Sequence, residues 1–70
     1  MKFTTHYTDL YVLPANEEEK KRIINYVKSI GWNWHMSYSN VKGQDWYGKH
    51  FIEILFESHL QEEISKLEKE

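Results

Sequence analysis

Residues 2–14 read KFTTHYTDLYVLP. Thr, Tyr, Val and Phe crowd this stretch, glycine is missing from it, and the chain's single proline closes it: the composition of a β-strand and its stop. The alternation changes phase along the way. Phe3, Thr5 and Tyr7 share one side, whereas Leu10 and Val12 fall on the other. Because side-chain direction in a strand has a period of two, such a slip requires a bulge or a break, here near Thr8 and Asp9. Residues 2–13 are therefore expected to form one long, defective first strand, with the identity of its buried side left open.

The segment that follows, ANEEEKKRIINYVKSIG (15–31), begins with Asn16 as a helix N-cap and Glu19 three residues on, and ends in Gly31 at the C′ position. Its first turn is acidic, as the helix dipole favours, and Ile23, Ile24, Val27 and Ile30 make the apolar stripe that faces a sheet. The EEEKKR run is then a solvated first turn and a half.

Beyond the helix, Trp32, Trp34, Met36 and Tyr38 alternate with Asn33, His35, Ser37 and Ser39, the pattern of a half-buried strand. Asn40 and Gly43 occupy the first and fourth positions of NVKG, a type I turn that closes a three-residue hairpin loop with a G1 bulge. This turn predicts a register in which Asn40 faces Gln44, Tyr38 faces Trp46, Met36 faces Gly48, Trp34 faces His50 and Trp32 faces Ile52. It sets Ile52, Ile54 and Phe56 on the same side as the tryptophans. A two-residue loop at Lys42 and Gly43 would throw the isoleucines onto the Asn/Ser side. The last segment, SHLQEEISKLEKE (58–70), shows a capping box at Ser58 and Gln61 and a stripe of Leu60, Ile64 and Leu67.

The order is thus β-α-β-β-α. A right-handed crossover with the third strand hairpinned into the middle predicts a single α+β domain over residues 1–70. Its three-stranded antiparallel or mixed sheet has order 2-3-1 and carries two helices on one face. That arrangement is a ferredoxin-like plait lacking its last strand.

Seventy residues bury only about 60% of their unfolded surface, and with no cysteine there is no disulfide to help. At 16% of the chain, aromatic residues are expected to carry the core, led by Trp32 and Trp34. The absence of cysteine fits a reducing cytoplasm and removes thiol catalysis and thiolate zinc sites. No segment approaches the ~18 apolar residues of a membrane span, and the first ten residues lack a signal-peptide core.

A net charge of −2, from 11 acidic and 9 basic residues, argues against backbone-driven nucleic-acid binding. WYGKHFIEI (46–54) resembles loosely the aromatic strand of RNA-recognition modules, with Gly48, Phe51 and Ile52 in comparable places. Lys49, however, stands where a second stacking ring is needed. Histidines 6, 35, 50 and 59 show no metal-ligand spacing, no cofactor motif is present, and no nucleophile lies beside a base; His50 reads as a packed side chain between Trp34 and Phe51.

Two surfaces remain. One is the hairpin tip of Tyr38, Trp46 and Tyr47, expected to overhang the helices. The other is the sheet face without a helix, bearing His35, Lys49, Phe51 and Leu55, where a second copy, a partner, or plain tolerance of exposed apolar groups would account for Phe51 and Leu55. The unguarded strand 2–13 adds an edge for homodimerisation. The expected function is a non-enzymatic interaction domain acting as a regulator or inhibitor on a larger protein. Its composition fits the compact domains that phages encode against host or defence enzymes. A small planar ligand or nucleotide on the aromatic hairpin is the alternative, and weak single-stranded nucleic-acid binding a further one.

Overall fold

In the computed structural model, which describes residues 1–43 and 45–69, the change of phase in KFTTHYTDLYVLP is a chain reversal. β1 (Lys2–His6) and β2 (Asp9–Leu13) run antiparallel with His6 opposite Asp9, leaving Tyr7 and Thr8 as a two-residue loop. Tyr7 has φ 56°, the left-handed conformation that glycine usually supplies at the first position of a II′ hairpin loop. The single strand expected over 2–13 is therefore two strands. Neither Tyr7 nor Thr8 is a turn former, so the composition announced a strand where the backbone turns.

α1 (Glu17–Ser29) is bounded as its caps dictate. Asn16 Oδ1 accepts the Glu19 N–H at 2.8 Å, and Glu19 Oε1 reaches back to accept the Ala15 N–H at 3.0 Å. At the other end the Trp32 N–H donates to the Val27 carbonyl and the Gly31 N–H to that of Lys28, a Schellman motif with Gly31 at φ 71°. Glu19 is buried and faces the Met1 ammonium at 3.3 Å. The same ammonium pairs with Glu68, which, ahead of Glu19, raises its pKa against the opposing effect of desolvation.

β3 (Trp34–Tyr38), β4 (His50–Leu55), α2 (Ser58–Lys66) and a closing 3₁₀ turn (Leu67–Lys69) complete the chain. The expected Ser58 capping box does not form: Glu57 is the N-cap residue, its carbonyl accepting the N–H groups of Leu60 and Gln61, and no side chain caps it. The Leu60 and Ile64 stripe is buried as expected.

The sheet has order β1-β2-β4-β3, every neighbouring pair antiparallel. The α+β class and the central place of β4 agree with the sequence reading; the strand count does not, since β1 adds a fourth strand on the outer side of β2. Consequently, of residues 2–13, the 2–6 segment forms the edge, while 9–12 are paired on both sides.

One face of the sheet meets both helices. Leu10 and Val12 of β2 and Ile52 and Ile54 of β4 join Ile23 and Val27 of α1 and Ile64 of α2 in one core. Each such side chain stabilises the fold by roughly 1.5–3 kcal/mol when fully buried. The core is aliphatic, not aromatic. Trp34 and Met36 are half-buried around it, because β3 is an edge strand and its side chains reach only the rim of what the helices cover, and Trp32, just before β3, is half-buried too.

Candidate functional site

The β3–β4 connection determines what the uncovered face becomes. Strand pairing stops at Tyr38 opposite His50, not Tyr38 opposite Trp46, a slide of four residues (46 to 50) from the expected register. Trp34 therefore faces Ile54 and Met36 faces Ile52. An even slide keeps every side chain on its expected face, so the tryptophans and isoleucines still share the helix side. The G1 bulge exists, but at Gly48. Gly48 (φ 77°) donates to the Ser39 carbonyl at 2.8 Å, the Ser39 N–H donates to Lys49, and the Lys49 N–H closes a type II turn on the Trp46 carbonyl. The expected Asn40–Gln44 pair involves Gln44, which lies outside the described residues.

With the bulge at Gly48, residues 39–43 and 45–49 lie outside the strands instead of extending them into an overhanging hairpin tip. Trp46 lies against Phe51, ring centroids 5.4 Å apart at 62°, and on its other side Phe51 meets Tyr11 at 4.8 Å. Phe51 is consequently buried at 8% exposure on the face that has no helix. Its cover is the chain's own loop and β2, whereas Leu55, expected beside it, is half-exposed.

From Tyr11 the aromatic run continues to His6 of β1, ring centroids 5.8 Å apart and stacked, with Tyr11 Oη and His6 Nδ1 hydrogen-bonded at 3.3 Å. Between this floor and the loop lies a concavity of about 580 Å³, to which Tyr38, Ser39 and Asp45 also contribute. Asp45 is held toward β1 by Lys2 Nζ at 3.8 Å, an exposed pair. Burial, followed by the charges of Glu53 and Asp9, raises the Tyr11 pKa, so its hydroxyl is a neutral donor and acceptor here.

The residues expected to act together fall into separate places. Tyr38, Trp46 and Phe51 line the concavity, although Tyr38 stacks obliquely on His50 at 4.9 Å rather than on Trp46. Tyr47 is half-exposed at the corner of the type II turn and does not line it. Lys49 lies beside Leu13 and Pro14. His35 and Leu55 sit at the far end of the same face in a shallow cleft of about 260 Å³ with Asp9 and Glu53. There His35 Nε2 approaches Glu53 Oε1 at 3.3 Å and Ser37 Oγ donates to the same oxygen at 3.0 Å. His50, expected to be packed between Trp34 and Phe51, is exposed at the end of β4 because the slide moved it opposite Tyr38.

Thr4, His6, Tyr11 and Asp45 were not anticipated. For Tyr11 a signal existed: flanked by buried Leu10 and Val12, it must point to the opposite face. For Thr4 and His6 none did, since their place depends on the turn at Tyr7.

Among the described residues no helix is long and apolar enough to cross a membrane, and no three His, Asp or Glu side chains gather as metal ligands. No family model matches the chain, and no curated protein or solved structure shows significant similarity to it.

Proposed function

We propose that this chain is a non-catalytic interaction domain that regulates or inhibits a larger protein by occupying a surface on it, and that the uncovered face of the sheet makes the contact. The frame is then a ferredoxin-like plait in which β1 takes the place of the final strand. The observation that supports the reading is the Trp46 loop lying against Phe51, which also meets Tyr11. It turns a flat sheet face into a concave aromatic one, and buried aromatic anchors are what dominate protein interfaces. A small planar ligand is the second reading, because about 580 Å³ falls in the range of small-molecule sites, ~300–1,000 Å³.

The test compares the tagged wild-type chain with Trp46→Ala and Tyr11→Ser, each first shown to be folded by circular dichroism. A partner retained by the wild type and lost by both variants is the expected result. Equal capture by a folded Trp46→Ala chain sinks the proposal, and a thermal shift with nucleosides but with no protein would transfer the site to the second reading.

A further inference from the structure

The concavity has a definite electrostatic character. Tyr11, Tyr38, Trp46 and Phe51 line it with aromatic rings, whose faces are the negative side of a quadrupole. Among the described lining residues Asp45 is the one carboxylate, and Asn40 brings a side-chain amide. Asp9 and Glu53 add carboxylates along the same face. Lys2 places its ammonium 3.8 Å from Asp45 at the rim, and Lys42 is the exposed residue between the lining residues Val41 and Gly43.

We propose that the concavity receives an arginine side chain of the partner protein, its guanidinium against the aromatic rings and directed at Asp45. Guanidinium is the cation best suited to such a wall, because it is planar, weakly hydrated, stacks on aromatic faces and pairs with a carboxylate through a fork of donors. The volume accommodates the whole side chain with flanking backbone rather than a bare ammonium group. Lys2 is the intramolecular competitor that the arginine displaces from Asp45. This inference rests on the protein-binding reading given above and names the chemistry of the partner residue.

The experiment is an NMR titration of the isotope-labelled full chain with N-acetyl-arginine amide, and in parallel with its uncharged isostere N-acetyl-citrulline amide. The arginine compound is expected to shift the Trp46 indole and the Asp45 and Tyr11 amide signals, and to bind more than about fivefold more tightly than citrulline, which lacks the charge for both the cation–π contact and the Asp45 pair. Asp45→Asn should weaken arginine binding about fivefold and Lys2→Gln should strengthen it about twofold, both being exposed substitutions that leave the core untouched. Equal binding of citrulline, or indifference to Asp45→Asn, overturns the proposal. If partner capture requires Trp46 but neither compound binds, the arginine inference fails while the interaction reading stands. If arginine binds as expected but capture ignores Trp46, the cation site stands and the interaction reading is lost.

Discussion

The two faces of the sheet are closed by different means. The helix-covered face is sealed by whole elements: Leu10, Val12, Ile23, Val27, Ile52 and Ile64 reach 0% exposure, and none of them is aromatic. On the other face the buried aromatic side chain is Phe51, sealed by a loop tryptophan and a tyrosine that are themselves half-buried. Apolar area and ring shape account for the contrast. Branched aliphatic side chains interdigitate between helix and sheet at interior density, whereas flat rings laid edge to face cover a strand surface and leave a concavity beside them. In so small a domain, the buried core lies on one side of the sheet and the proposed recognition surface on the other, the two sharing β2 and β4.

The sharpest way to break this division is to truncate one side chain on each face. Ile52→Ala removes a fully buried group between both helices and the central strand, and should cost about 2–5 kcal/mol. In a domain of this size that is enough to leave much of the population unfolded at room temperature. Trp46→Ala should cost roughly 1–2 kcal/mol, because the ring is half-buried and the loop can relax over Phe51. Urea melts of the two variants with equal m-values check the ranking. Comparable losses would mean that the loop is part of the core and that the faces are not divided as described.

How much of this was legible follows from where the signals lay. α1 could be read with both caps because Asn16, Glu19 and Gly31 each serve a local backbone need that no tertiary contact overrides. The face of every residue in β3 and β4 was legible for the same reason that their register was not. NVKG and WYGK both place a glycine where a turn needs positive φ, and the pairings they imply differ by four residues, so either satisfies the hydrophobic alternation. Choosing between them depends on Trp46 docking onto Phe51, a contact absent from any local pattern. The fourth strand was hidden more completely. Thr4 and His6 enter the site only because the chain reverses at a tyrosine, against the usual turn chemistry.

That competition between the two turns can be tested at the glycines. Gly48→Ala should destabilise by roughly 1–2 kcal/mol, the cost of a left-handed L-residue, with no clash added, since a Cβ there would meet Tyr38 Oη at an ordinary 3.8 Å. Gly43, at φ 92° with nothing within 4 Å, lies outside the strand pairing, so its alanine variant should lose less. A larger loss at Gly43 would restore the turn expected from NVKG, and cross-strand Hα contacts would then link Tyr38 with Trp46 instead of His50.

The smallest effect concerns the turn that brings β1 onto the open face. Tyr7 is 93% exposed and holds φ 56°, and its recorded ring contact is the edge of His6 at 4.4 Å, so little in the structure compensates the backbone strain. Asparagine tolerates this conformation, and Tyr7→Asn should therefore stabilise the domain by about 0.5–1 kcal/mol, read as a raised urea midpoint at constant m. Because β1 carries Thr4 and His6 into the concavity, the same substitution should leave arginine binding intact or slightly tighter. A loss of stability would show that the Tyr7 ring holds the hairpin closed. The aromatic run across the open face would then be a structural brace beginning at Tyr7, rather than a surface kept free for a partner.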